Sequence, residues 1–348
     1  VPPEMKIGFV GAGFMGQVAH LRSFTQIPGC QVIALAECRP RLRELVAEHY
    51  HIARTYETHR ELLQDEGVEA VVAILPHVLN DQVACDLLRR GKHVLVEKPM
   101  AASLAAAERM ADAADAAGVQ LMIGYMKRHD AGVLLAKEII DELRASGELG
   151  QMTLVRAHCF GGDWVCNVDP PITTDEPRPT RTPTPLPDWL PEQQHQAFNQ
   201  FNNVYCHNIN LVRFLLDDPL ALESVSLTRP GKVVVLDASG VTVSLEVGAL
   251  RRNVWDEETK VYFERGWVEL RTPSPLLRNV PALVEVYRGG DAHEIRRPMA
   301  EWSWAFKRQA EHFLECVRDG HQPRSSGRDS LRDMQIVEEI FRRHLAPK

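Results

Sequence analysis

Two groups of residues have types and spacings suited to chemistry. The first is Gly11-Ala12-Gly13-Phe14-Met15-Gly16, with Glu37 lying 21 residues past Gly16. In such a run Gly11 permits a tight turn, Gly13 lets the backbone approach a pyrophosphate, and Gly16 lets the following helix lie close to the preceding strand. The start of that helix offers N–H groups and the positive end of a dipole to the phosphates. An acidic residue about 20 positions on accepts hydrogen bonds from both hydroxyls of the adenosine ribose. The negative charge of Glu37 opposes a 2′-phosphate, so NAD is expected over NADP, although Arg39 is placed to pair with such a phosphate. Phe14, Met15 and Arg39 are counted with the cofactor-binding residues.

The second group is Asn199, Asn203, His207 and Asn210, at spacings of 4, 4 and 3. On a helix these lie within about 80° of one another at about 100° per residue. Such a stripe is either a solvated face or a row of hydrogen-bonding groups turned toward a polyol. Leu75, Pro76 and His77 fall at the carboxyl end of a strand, where doubly wound sheets bind ligands. Tyr125, Lys127, Arg128, His129 and Asp130 form a polar cluster that either lines a substrate cleft or opens a solvated helix. Trp164 is a further candidate substrate contact.

The elements that carry these residues follow from periodicity. Apolar strands at 5–10, 32–36, 70–75, 93–96 and 119–123 alternate with a helical stretch that follows Gly16 and ends at Pro28-Gly29, and with others at 40–50, 79–90 and 103–117. That alternation implies βαβ units and a parallel sheet. After residue 150 the rhythm changes to strand-like runs at 152–160, 221–228, 232–237, 241–247, 259–264, 267–271 and 281–287. Helices are expected near 131–145, 197–216, 302–318 and 329–343. The fold class is therefore α/β: a Rossmann domain at 1–125, then an α+β domain at 126–348 with a large, mostly antiparallel open sheet. The last helix is able to pack back on the first domain. Residues 167–191 hold eight prolines, which exclude a helix or an inner strand. They leave a free loop, a lid or a subunit-contact arm as readings.

The chain has 348 residues, 45% hydrophobic and 25% charged, with a net charge of −7. That is the balance of a globular protein of about two domains. The acidic balance disfavours nucleic-acid binding. No run of 18 apolar residues implies a membrane span, and Val1-Pro2-Pro3-Glu4 lacks the pattern of a signal peptide. The seven cysteines contain no Cys-x-x-Cys pair, so a reduced, cytoplasmic setting is expected. With no His-x-x-x-His pair and no acidic cluster at ligand spacing, no catalytic metal is expected. The absence of Gly-x-Ser-x-Gly speaks against a serine hydrolase.

The segments GFVGAGFMG (8–16), GKHVLVEKPMAAS (91–103), GYMKRHD (124–130) and FLECVRDGHQPRSSGRDSLRDM (313–334) occur in that order. Through them the sequence resembles the glucose–fructose oxidoreductase / inositol dehydrogenase / MocA (Gfo/Idh/MocA) family of sugar and polyol dehydrogenases. The resemblance implies a nicotinamide cofactor and a homodimer or homotetramer formed through the sheet of the second domain. It places Lys98 beside the nicotinamide and the reacting carbon, with Glu97 orienting it and Pro99 shaping the turn. Alcohol oxidation needs a base for the hydroxyl proton, and desolvation lowers a lysine toward that task. The family carries an aspartate four residues before the histidine matched by His207 and another three after it. Here those positions hold Asn203 and Asn210, and the usual paired glycines upstream are missing. Asparagine cannot carry a proton, so the acid/base role falls more heavily on Lys98, with His207 and Asn203 as hydrogen-bonding partners. The asparagine and histidine that the family places after the proline look exchanged as His77 and Asn80, both counted with the cofactor-binding residues. The expected function is NAD-dependent hydride transfer at a secondary hydroxyl or keto carbon of a sugar, an aminosugar such as an aminoglycoside, or a cyclitol. The altered helix and the proline-rich insertion suggest a specialised subgroup, for which antibiotic biosynthesis is one setting. The alternatives are a redox-neutral NAD-dependent glycosidase and a non-enzymatic NAD- and sugar-sensing regulator.

Overall fold

A computed structural model describes residues 4–251, 254–290 and 293–347. The start at Val1-Pro2-Pro3 lies outside the described residues. Two compact units are present, and they interleave in sequence. The first comprises the chain up to Tyr125 with Asp169–Asn199 and Phe306–Met334; the second comprises Met126–Val168, Gln200–Ala305 and Gln335 onward.

The first unit is built on a parallel six-stranded sheet. Its strands are β1 (Met5–Val10), β2 (Cys30–Ala36), β3 (Arg54–Tyr56), β4 (Ala70–Ala73), β5 (His93–Val96) and β6 (Leu121–Ile123), in the order β3-β2-β1-β4-β5-β6. This is the doubly wound order of the Rossmann fold, with its switch point between β1 and β4. The strands β4, β5 and β6 are almost wholly buried, as strands covered on both faces must be. The short β3 and the single turn α3 (His59–Leu62) escape the periodicity reading because each is too short to carry a pattern. The other helices are α1, with a π turn over Gly16–Leu21 and α geometry over Arg22–Phe24, then α2 (Pro40–His49), α4 (Asn80–Arg89) and α5 (Leu104–Ala117).

The second unit holds α6 (Ala131–Ser146) and an eight-stranded sheet. Its strands are β7 (Met152–Gly162), β8 (Leu220–Ser226), β9 (Lys232–Ala238), β10 (Val241–Val247), β11 (Trp255–Phe263), β12 (Gly266–Arg271), β13 (Leu283–Arg288) and β14 (Glu294–Arg296). The order is β14-β13-β12-β11-β7-β10-β9-β8, antiparallel except for the β7–β10 pair. β9, β10 and β11 alternate buried and half-buried residues, the period of a sheet with one face on a core. The β9–β10 turn sets Ser239 at φ 51° and Gly240 at φ 92°, the left-handed pair that a two-residue hairpin requires.

Three long helices complete the chain: α7 (His195–Leu216), α8 (Ala305–Asp319) and α9 (Gly327–Leu345). The expected break at 125 gives way to an interleaved division because α8 belongs to the core of the Rossmann unit. Phe24 lies edge-on to both Phe9 and Phe313, at 5.6 and 6.3 Å between ring centroids. Ser325 exchanges hydrogen bonds with the backbone of Ile123 on β6. Arg328 pairs with Asp112 and Asp115 of α5. Residues 167–187 form neither helix nor strand. Among the described residues no helix is long and apolar enough to cross a membrane.

Asp130 joins three pieces of the second unit. Its carboxylate caps α6 by accepting from Gly132 N–H and Val133 N–H, and it also accepts from Ala282 N–H at 2.9 Å. Asp130→Ala should lower stability by about 2 kcal/mol, read as a fall in the urea midpoint at unchanged slope.

Candidate functional site

The glycine loop connects β1 to α1 at the sheet's switch point. Gly11 has φ +92°, and a Cβ there would collide with the Ile74 carbonyl oxygen. A Cβ on Gly16 would come within 2.7 Å of the Gly11 carbonyl oxygen. These two glycines are required by the fold. Gly13 differs, since nothing lies within 4 Å of the position its Cβ would take. That open space belongs to a cavity of about 340 Å3. Gly11, Gly13, Phe14, Met15 and Gly16 line it on one side; Glu37, Arg39, Leu75 and Pro76 line it further along. The empty cradle beside Gly13, at the start of a helix, fits a dinucleotide pyrophosphate.

Glu37 is buried, and its carboxylate is already occupied. Oε2 accepts from Ala12 N–H at 2.9 Å and from Arg39 Nη2 at 3.1 Å. Oε1 accepts from Arg39 Nε at 2.9 Å and from Arg39 N–H at 3.2 Å. Burial opposes its ionisation, but the Arg39 guanidinium and the Ala12 and Arg39 N–H groups hold the carboxyl below its ordinary value. It is therefore ionised at neutral pH, and Arg39 largely neutralises it.

The Glu97-Lys98-Pro99 turn leaves β5 beside this cleft and is not among the residues lining the cavity. Buried Glu97 accepts from Lys98 N–H at 3.1 Å, and His20 Nε2 donates to its Oε1 at 2.7 Å. His20 is itself buried and lies edge-on to Phe306. A Cβ on Gly124 would lie 3.2 Å from Glu97 Oε1, so a larger residue there would crowd the pair. Asn80 is 1% exposed. Its amide donates to the carbonyls of Glu97, Pro99 and Met100 at 2.9, 3.2 and 3.3 Å. Asn80, expected as a cofactor contact, clamps this turn with its amide donors. His77 Nε2 donates to Asn199 Oδ1 at 3.2 Å. Burial, aided by the charge of Lys98, pushes His77 below its ordinary value against the opposing Asn199 bond, favouring neutral imidazole.

In the second unit the polar stripe of α7 does not stay on one environment. Asn203 is exposed and His207 half-buried. Asn210 is buried, and its Oδ1 accepts from Arg128 Nε at 2.7 Å, with Arg128 over the Phe214 ring. The segment from Tyr125 to Asp130, for which the sequence leaves a cleft lining or a solvated helix start, is buried throughout. Lys127 pairs with buried Glu257, which also accepts from Asn208 Nδ2 at 2.7 Å and Trp255 Nε1 at 3.1 Å. His129 is fully buried, whereas Trp164 is substantially exposed. Spacing on α7 could not reveal Asn208, since its partner lies 49 residues away in sequence.

Sequence reasoning also missed His20, Cys38, Glu57 and the strap residues Arg178, Pro179 and Arg181, all but His20 lining the cavity. No local signal marks them; they arrive through tertiary folding. Burial pushes the Cys30 and Cys159 thiols up to about 12, which makes them poor nucleophiles. Among the described residues no group of three or more metal-ligating side chains converges.

Residues 5–125 match the model of the oxidoreductase family with an NAD-binding Rossmann fold, Gfo/Idh/MocA. The NAD-binding Rossmann unit is of that family's type, and the chain is an NAD-binding oxidoreductase. It is 26% identical to inositol 2-dehydrogenase 1 of Saccharopolyspora erythraea, over 97% of this chain and 93% of the relative. Its fold matches the aldose–aldose oxidoreductase of Caulobacter crescentus with TM-score 0.75 and 24% identity, covering 97% of each chain. It also matches KijD10, a 3-ketoreductase from Actinomadura kijaniata solved with NADP and TDP-benzene, at TM-score 0.75 and 20% identity over 98% of each chain.

His20→Leu strands the Glu97 carboxylate without a side-chain donor. A loss of about 2 kcal/mol is expected in urea melts, partly recovered in His20→Gln, whose amide can donate.

Proposed function

We propose that the protein interconverts a secondary alcohol and a ketone on a sugar, aminosugar or cyclitol, with Lys98 as the acid/base. The observation that carries this reading is the construction of the Glu97-Lys98-Pro99 turn. A buried carboxylate, a buried histidine and a threefold amide clamp hold the backbone from which Lys98 projects. A merely solvated lysine at a strand end needs no such support.

When bound, the nicotinamide supplies the acceptor for the hydride that leaves the carbinol carbon. The chain supplies the rest. Gly11, Gly13 and the first turn of α1 bind the pyrophosphate, and Glu37 accepts from the ribose hydroxyls once Arg39 gives way. Lys98 Nζ takes the hydroxyl proton in oxidation and returns it in reduction. Glu97 orients Lys98 through its backbone N–H. His77, held toward neutrality, keeps added positive charge away from Lys98. His207 and Asn203 hydrogen-bond substrate hydroxyls, and Asn203 orients without transferring a proton. The chain's net charge of −7 suits a cationic aminosugar. The outer face of the eight-stranded sheet, where Lys260 lies over Trp267 and Trp267 stacks on Tyr287, is the surface for pairing with a second copy.

The test is NADH formation across a panel of cyclitols, sugars, aminosugars and nucleotide-linked sugars, with keto sugars assayed in reverse. Turnover on a member of the panel supports the reading. Glycoside cleavage without net NADH would instead mark redox-neutral chemistry. Lys98→Ala should lower kcat by about 10²- to 10⁴-fold while calorimetric NAD affinity stays within about twofold of the parent.

A further inference from the structure

We propose that the proline-rich strap from Asp169 to Thr184 is part of the dinucleotide site, and that Arg178 and Arg181 bind a phosphate of the bound dinucleotide. The proposal rests on the dinucleotide occupying the cavity beside the glycine loop.

The strap is pinned to its own unit along its length. Arg22 pairs with Asp169 at 3.2 Å. Gln17 donates to Ile172 O and accepts from Ile172 N–H, both at 2.9 Å. The Glu176 carboxylate accepts from Arg41 N–H at 2.9 Å and Leu42 N–H at 3.0 Å. It thereby caps α2, whose own N-cap residue, Arg39, makes no side-chain capping bond. Thr174 Oγ1 braces that carboxylate at 2.8 Å. Beyond the cavity, Gln82 holds Thr182 O at 3.1 Å, and Thr184 N–H donates to Val78 O at 2.8 Å.

Between the pins at Glu176 and Thr182 the chain presents Arg178 and Arg181 to the cavity, alongside Glu37, Cys38 and Arg39. Pro177, Pro179 and Pro183 restrict the backbone, so little further ordering is needed when a ligand arrives. Among the described residues, Arg178 and Arg181 form no ion pair or hydrogen bond, while Arg39 is committed to Glu37. An acidic chain thus keeps two uncommitted guanidinium groups at the ribose end of a dinucleotide cleft. Their fork geometry suits phosphate. The 2′-phosphate of NADP and the pyrophosphate common to NAD and NADP present the same chemistry to them.

Calorimetric titration of NAD and NADP into the parent and into Arg178→Ala/Arg181→Ala tests this. Both positions are exposed, so the thermal midpoint should stay constant. The dissociation constant should rise about 10-fold or more, with a weaker dependence on salt. A rise confined to NADP assigns the arginines to the 2′-phosphate; an equal rise for both ligands assigns them to the pyrophosphate. Changes below about twofold for both ligands, with the parent binding normally, overturn the proposal. If the parent binds neither dinucleotide, the underlying reading of the cavity fails instead.

Discussion

A buried carboxylate that must stay hydrogen-bonded organises the first unit. Glu97 sits at the end of β5 with almost no solvent, where an unpartnered charge would cost several kcal/mol. His20 reaches it from α1, and the Lys98 N–H reaches it from the following turn. Gly124 leaves room for it after β6, and Phe306 of α8 backs His20. Asn80 at the start of α4 fixes the carbonyls on the other side of the same turn. Five elements therefore have to be in register before Lys98 can have one defined backbone.

The strap applies the same logic at the other end of the cleft. α2 begins with Arg39 and Pro40, neither of which supplies a capping side chain. The missing cap comes from Glu176, 135 residues away from Arg41. Capping in this way ties the strap to the helix that follows Glu37, so the acidic residue of the cleft and the strap arginines are set by one connection. The prolines that rule out helix and inner strand also make such an extended, pinned crossing feasible.

In the second unit, polar side chains close on one another in hydrogen-bonded groups. Lys127, Glu257, Asn208 and Trp255 form one buried hydrogen-bonded group, and Arg128 with Asn210 forms another. Buried charges persist only when paired, and each pairing here draws α7 or β11 against the segment at 126–130. Of the α7 row, Asn199, Asn203 and His207 are still reached by solvent, and Asn210 is not.

Sequence alone reveals the βαβ alternation with its parallel sheet, the glycine loop with Glu37, the Glu97-Lys98-Pro99 turn and the change to a mostly antiparallel sheet. These are legible because they rest on local periods, turn residues and short-range spacing. β3 and α3 were too short to leave such a period. That α8 completes the first core, that His20 partners Glu97, that Asn80 clamps the turn and that the strap lines the cleft emerge from folding in three dimensions. Those outcomes depend on which buried donors meet which acceptors across 77 residues for His20 and Glu97 and 155 for Gln17 and Ile172. No local pattern encodes such pairings; they follow from the requirement that polar groups folded out of water find partners.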